Sequence, residues 1–179
     1  MRFALAVVGA VAVGIAVGSG FVGSGFSRTL NVAPSLAAQT VAPADEQKLK
    51  AEVNAFMDQY WSLWSAGKID DLEKRIYHPM GQLSNNGHAS IAQMKANFPA
   101  TRKSLVDRGY DHSNMPKRNI CILSPTVAVI SGRGIRYLKE DKVMAEFGWT
   151  YTLIKGADGW KMVSIYSHDP NKALTCSAN

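Results

Sequence analysis

Apolar residues first recur in steps of three and four, at Leu49, Val53, Phe56, Met57, Tyr60, Leu63 and Trp64. That spacing is one face of a helix about five turns long. Asp45 stands where an N-cap belongs and Gly67 where a helix ends. A second helix, Ile69–Ile76, follows at once and stops ahead of Pro79. A third runs over about Ser90–Val106, with Ile91, Met94, Phe98 and Leu105 on one face and a break expected at Pro99. The period then changes to two. Arg118–Leu123, Thr126–Leu138, Val143–Ile154 and Trp160–His168 alternate as strands, separated by turns at Ser124-Pro125, Lys139–Lys142 and Lys155–Gly159. Short extended pieces at Gly81–Ser84 and around Gly87 add an edge hairpin. Three helices followed by an antiparallel meander predict an α+β domain with its helices on one face of the sheet.

Ahead of this domain the pattern has no amphipathic period. Residues Phe3 to Val22 carry no charge and follow a single positive residue, Arg2, the layout of a secretory leader. Ser35-Leu36-Ala37 offers a small-residue cleavage site, so residues 1–37 read as a signal peptide. An uncleaved anchor over residues 3–22 is the other reading, since about 20 apolar residues span a bilayer. Residues 38–44 read as a flexible linker, 45–170 as the folded domain and 171–179 as a C-terminal tail. Either fate of the leader puts the domain outside the cytoplasm, in the periplasm or secreted.

Composition changes this picture little. Hydrophobic residues make up 46% of the chain, so burial can stabilise a core without crosslinks. The net charge is +6, but Arg2 and Arg28 belong to a segment without acids. Lys and Arg elsewhere are scattered, with only short pairs such as Arg102-Lys103 and Lys117-Arg118. A nucleic-acid surface concentrates such charge in a stripe, so no nucleic-acid partner is expected. Cys121 and Cys176 could pair in an oxidising compartment. The favoured expectation is nevertheless a buried free Cys121 and a disordered tail, because the tail shows no reason to dock. His78, His88, His112 and His168 have no metal-ligand spacing, so neither a metal nor a cofactor is expected.

The string Trp64-Ser65-Ala66-Gly67-Lys68-Ile69-Asp70-Asp71-Leu72 with Tyr77-His78-Pro79 resembles the first two helices of the nuclear transport factor 2-like superfamily (NTF2-like; also ketosteroid isomerase-like or SnoaL-like). Phe147–Leu153 and Asp158–Val163 are similar to its closing strands, and the likeness spans about residues 46–168. It implies a conical fold: a curved sheet around the long first helix, a pocket at the open end, and often a homodimer through the sheet. It implies little about chemistry, because one fold hosts many functions. The superfamily's isomerases and cyclases keep a catalytic acid after the second helix, where Met80–Asn86 holds none. Its dehydratase-like branch keeps an Asp at the end of the first helix, where Leu63–Gly67 holds none, and a histidine in the region where His112 stands.

Other candidates come from strand alternation. If Glu140-Asp141 centres its turn, Glu146 lies opposite Ile135, with Arg133 and Tyr137 as diagonal neighbours. One sheet face then carries Ser131, Arg133, Tyr137, Glu146, Thr150, Ser164, Tyr166 and His168. This mixed face suits a ligand pocket, with Arg133 clamping a carboxylate and Glu146 holding it; its plain alternative is a solvated face with a cross-strand ion pair. The other face, including Ala128, Ile130, Phe147, Trp149, Tyr151 and Leu153, is core or a dimer interface. Ser167-His168-Asp169 is no triad, because neighbours on a strand point to opposite faces.

Three functions follow as expectations. The first is a small-molecule-binding domain using Tyr60, Trp64, His112, Arg133, Glu146, Tyr166 and His168. The second is a SnoaL-like lyase, isomerase or hydrolase with His112 or His168 as base beside Glu146 or Asp111. The third is a homodimeric interaction module built on the Phe147, Trp149 and Tyr151 row.

Overall fold

The computed structural model describes residues 41–176; the predicted leader, residues 38–40 of the predicted linker and residues 177–179 of the predicted tail lie outside them. Helix α1 spans Pro43–Ser65, starting two residues before Asp45 because Pro43 can occupy the first turn, where no backbone donor is needed. Helix α2 (Ile69–Asp71) widens at once into a π-helical turn, Leu72–Ile76, closed by Tyr77 N–H donating to the Leu72 carbonyl. Strands β1 (Gln82–Ser84) and β2 (Gly87–Ala89) form the small hairpin. Helix α3 runs unbroken through Pro99, from Ile91 to Val106. A capping box starts it: Ser90 accepts from Gln93 N–H, and the Gln93 side chain accepts from Ser90 N–H.

Four long strands complete the domain: β3 (Tyr110–Ser124), β4 (Val127–Leu138), β5 (Val143–Gly156) and β6 (Gly159–His168). The sheet order is β2-β1-β6-β5-β4-β3, antiparallel except that β1 runs parallel to β6. The predicted register holds at the first hairpin, where Glu146 faces Ile135. In the second, where alternation suggests Ile154 opposite Trp160, Lys155 takes that place, a shift of one residue that turns Trp160 and Met162 into the core. An irregularity between Thr152 and Leu153 adds a second residue and brings Thr150 opposite Tyr166 and Gly148 opposite His168. Beyond it the shift of two keeps Ser164, Tyr166 and His168 on the expected face.

Strand β3 begins eight residues earlier than the alternation predicts. Register breaks at Tyr110/His112 and Asn114/Lys117 interrupt the period-two signal that reveals a strand. Because β3 is an edge strand, those breaks together with Pro116, Lys117 and Arg118 also discourage pairing with another chain.

The core lies between α1 and the sheet face that carries Ile120, Ala128, Ile130, Trp149, Tyr151 and Leu153. Helix α1 contributes Leu49, Val53, Phe56, Met57, Tyr60 and Trp61, all buried. The Phe147, Trp149 and Tyr151 row therefore belongs to the core side of the sheet. Trp149 and Tyr151 are buried and Phe147 packs against the same cluster. Around this core, Arg118 of β3 pairs with Asp58 of α1. Lys155 reaches Glu52 at 2.5 Å, with Trp160 Nε1 on the same carboxylate oxygen at 3.3 Å. Those donors hold the Glu52 carboxyl below its usual range.

The tail corrects the expectation for the cysteines. Cys121 and Cys176 form a disulfide with Cα atoms 5.5 Å apart. Cys121 neighbours the buried Ile120 on β3, so alternation turns it to the outer face. The tail crosses that face from β6 to β3. On the way Asn171 Oδ1 accepts from Arg133 (2.7 Å), Leu174 N–H donates to Ser131 Oγ (2.9 Å), and Asn119 Nδ2 donates to the Leu174 carbonyl (2.8 Å). Backbone groups and one asparagine do the docking, which a search for apolar side chains in the tail does not detect.

Candidate functional site

The residues singled out from sequence fall on two opposite faces of the sheet. Tyr60 and Trp64 lie on the inner side with α1. Arg133, Glu146, Tyr166 and His168 lie on the outer side. They therefore form no single constellation.

On the outer face Arg133 Nη1 meets Glu146 at 3.1 Å, as the register predicts, and both are substantially exposed. A surface pair of this kind contributes about 0–1 kcal/mol. His168 packs over Gly148, where a Cβ would collide with the imidazole. Its Nδ1 lies 2.8 Å from the Asp169 carbonyl, which can only accept, so Nδ1 carries the proton. Thr150 then donates to Nε2 (3.0 Å), and Ser131 donates to Thr150 (2.8 Å) while accepting from Leu174 N–H. Ser131, Thr150 and His168 thus find their partners within the protein, and the row carries the tail.

His112 stacks on Tyr137 with ring centroids 4.6 Å apart. Its two nitrogens face Asp111 (2.9 Å) and Asp141 (3.6 Å). It borders an open depression with Asp58, Ser62 and Ser65.

A different cleft lies between α1 and the inner sheet face. Tyr60, Trp61 and Trp64 come to it from α1, Ser113 from β3, Arg136 from β4, Trp149 from β5 and Ile165 from β6. Its volume is about 100 Å3. A wider groove of about 830 Å3 near Lys74, Arg75 and Lys161 is open to solvent. Two of its cations are engaged: Lys161 donates to the Lys74 carbonyl (2.6 Å) and Arg75 lies 3.7 Å from Asp71.

The cleft is built from aromatic faces. Trp61 lies 5.2 Å from Trp149, and Trp149 stacks on Phe147 at 5.2 Å. The Arg136 guanidinium sits over Phe147 (4.5 Å) and Trp149 (5.7 Å), a favourable cation–π arrangement. Burial pushes Arg136 below the usual arginine range, yet a guanidinium stays charged at neutral pH. Its Nε is buried without an acceptor among the described residues, as are Trp61 Nε1 and the Tyr151 hydroxyl. Burial raises the Tyr60 and Tyr151 phenols well above their ordinary value, so both stay protonated.

Behind the cleft, Tyr110 Oη lies 2.8 Å from Ser113 Oγ and 3.3 Å from Ser65 Oγ. Arg102 of α3 donates to the Ser65 carbonyl and packs over the Trp64 and Tyr110 rings. These contacts fix the α1 end of the wall.

Arg136, Trp61 and Tyr151 were not singled out as site residues from sequence. Arg136 had a signal. It is the one charged side chain in the inner row Ala128, Ile130, Gly132, Gly134, Arg136, where a cation needs a reason to face a core. Trp61 follows Met57 by four residues and so continues the buried face of α1.

An α+β cone, with one long helix packed on a six-stranded mixed sheet, defines the class of fold. Residues 51–170 match the family model described as NTF2-like protein (DUF6841), and the chain belongs to that family. A putative calcium/calmodulin-dependent protein kinase II association domain from Xanthomonas campestris is similar in structure. It is 21% identical with a TM-score of 0.53, covering 72% of this chain and 91% of that one. An NTF2-like protein with a cystatin-like fold from Novosphingobium aromaticivorans shows 15% identity and a TM-score of 0.56, covering 69% and 85%. An NTF2-like superfamily protein from Salmonella enterica shows 14% and 0.53, covering 75% and 99%. At these identities the likeness concerns the fold alone. No curated protein is significantly similar to the chain.

Proposed function

We propose that the domain binds a small organic carboxylate in the cleft between α1 and the inner sheet face, with Arg136 as its anchor. The observation that carries this reading is a pair of buried donors that line the cleft without an acceptor among the described residues: Arg136 Nε and Trp61 Nε1. A buried donor left unpaired costs about 1–3 kcal/mol, and a carboxylate offers only acceptors. Aromatic walls suit an apolar body behind the charge, and a volume near 100 Å3 restricts the ligand to a small one. Binding is favoured over catalysis because no carboxylate or imidazole lines the cleft. Tyr60 could in principle give up a proton there, but burial keeps it protonated, and a general base must reach the proton it removes.

The test is isothermal titration of the protein with a panel of short monocarboxylates, from acetate to butyrate. Inorganic phosphate and the matching primary alcohols serve as controls. Saturable binding of a carboxylate, and not of its alcohol, supports the reading. Equal binding of the alcohol, or no binding across the panel, sinks it.

The same reading places the domain outside the cytoplasm, on two supports: the charge-free apolar run Phe3–Val22 and a disulfide, a bond that persists in oxidising compartments. Cell fractionation of the full chain in a bacterial host checks this. Recovery in the cytosol with both cysteines reduced would count against it.

A further inference from the structure

The Cys121–Cys176 disulfide ties down a segment that little else holds. Leu174, the one large apolar residue of the tail, is 54% exposed. No tail residue belongs to the core cluster. Apart from the disulfide, residues 170–176 are held to the strands by three hydrogen bonds: Asn171 to Arg133, Leu174 to Ser131 and Asn119 to Leu174. Fixing each residue's backbone costs more than an exposed hydrogen bond returns. Without the covalent link, the balance for these seven residues favours release.

The link is also open to attack. Cys176 is exposed and Cys121 half-buried. A depression of about 420 Å3, lined by Gln47, Asn54, Thr175 and Cys176, gives a small thiol room to approach the Cys176 sulfur.

We propose that Cys121–Cys176 is a reducible latch, and that opening it frees the tail from the outer sheet face while the domain beneath stays folded. The reductant is a dithiol. One of its thiolates attacks Cys176 Sγ, the Sγ–Sγ bond breaks, and Cys121 leaves as a thiolate that takes up a proton. The second thiol of the reductant then displaces Cys176 from the mixed disulfide, so two cysteine thiols form as the dithiol becomes a disulfide. Once the tail leaves, Arg133 loses Asn171, Ser131 loses Leu174 N–H, and the Ser131–Thr150–His168 row opens to solvent. The outer face is thus covered or uncovered according to the thiol balance around the protein.

The experiment is trypsin cleavage after Lys172, an exposed residue inside the tail, followed by mass spectrometry of the full chain with and without dithiothreitol. Reduction is expected to speed that cut at least tenfold, while the circular dichroism melt stays a single cooperative transition. C176S should cleave at the reduced rate with or without dithiothreitol. An unchanged cleavage rate after confirmed reduction would show that the hydrogen bonds alone hold the tail, and would overturn the proposal. So would loss of the cooperative melt, which would make the disulfide a structural staple, or a disulfide that native-state dithiothreitol does not reduce.

Discussion

Arg136→Met lowers affinity for the best carboxylate of the panel about a hundredfold, while the melting temperature stays within a few degrees of wild type. The affinity loss follows from removing the charged partner of a buried ion pair, a change worth about 3 kcal/mol. Stability moves little because two effects oppose. The substitution gives up a guanidinium stacked over Phe147 and Trp149. It also removes a buried Nε with no acceptor, and methionine fills irregular apolar space well. Arg133→Met supplies the contrast. Arg133 lies on the outer face with Glu146 and Asn171, so its loss leaves carboxylate affinity unchanged. Titration of both variants separates the two faces. If Arg133→Met abolishes binding and Arg136→Met does not, the ligand sits outside, among the residues that strand alternation suggests.

The reason alternation points to Arg133 and passes over Arg136 is physical. Arg133 stands among serine, threonine and histidine, the composition expected of a polar pocket wall. Arg136 stands among alanine, isoleucine, glycine and tryptophan, the composition expected of a core. In this fold one inner face does both jobs, core at one end and cleft at the other, and period-two patterning cannot divide a strand lengthwise. The architecture is more legible than the site. The face of α1, the helix after Gly67, the edge hairpin and the Ile135–Glu146 register all follow from local spacing. The early half of β3 does not, because Tyr110–Lys117 carries register breaks that erase the alternation. The docked tail escapes for another reason: its contacts run through the Leu174 backbone and Asn171, and no side-chain pattern encodes them.

Glycine placement decides whether the cleft can form, and Gly134→Ala tests this with the largest expected cost to stability. A Cβ on Gly134 would fall inside the Trp149 ring, at Cε3 and Cζ3, because that indole lies flat across the strand. The ring has no free space to enter. Phe147 stacks on one side of it, Trp61 lies 5.2 Å away and Arg136 covers it, and Trp149 is 5% exposed. A methyl group forced into such packing displaces the ring and its neighbours together. The expected loss is about 3 kcal/mol, which lowers the melting temperature by roughly ten degrees for a domain of this size. Because Trp149 and Arg136 both line the cleft, the variant that still folds at low temperature should also bind carboxylate more weakly. Gly156→Ala on the same β-hairpin is the control, since a Cβ there meets nothing within 4 Å. Thermal denaturation of the two variants side by side, with titration at a temperature where both are folded, reads the difference. A Gly134→Ala protein that melts like Gly156→Ala would mean that Trp149 does not lie across the strand, and the cleft would lose the wall that gives it its shape.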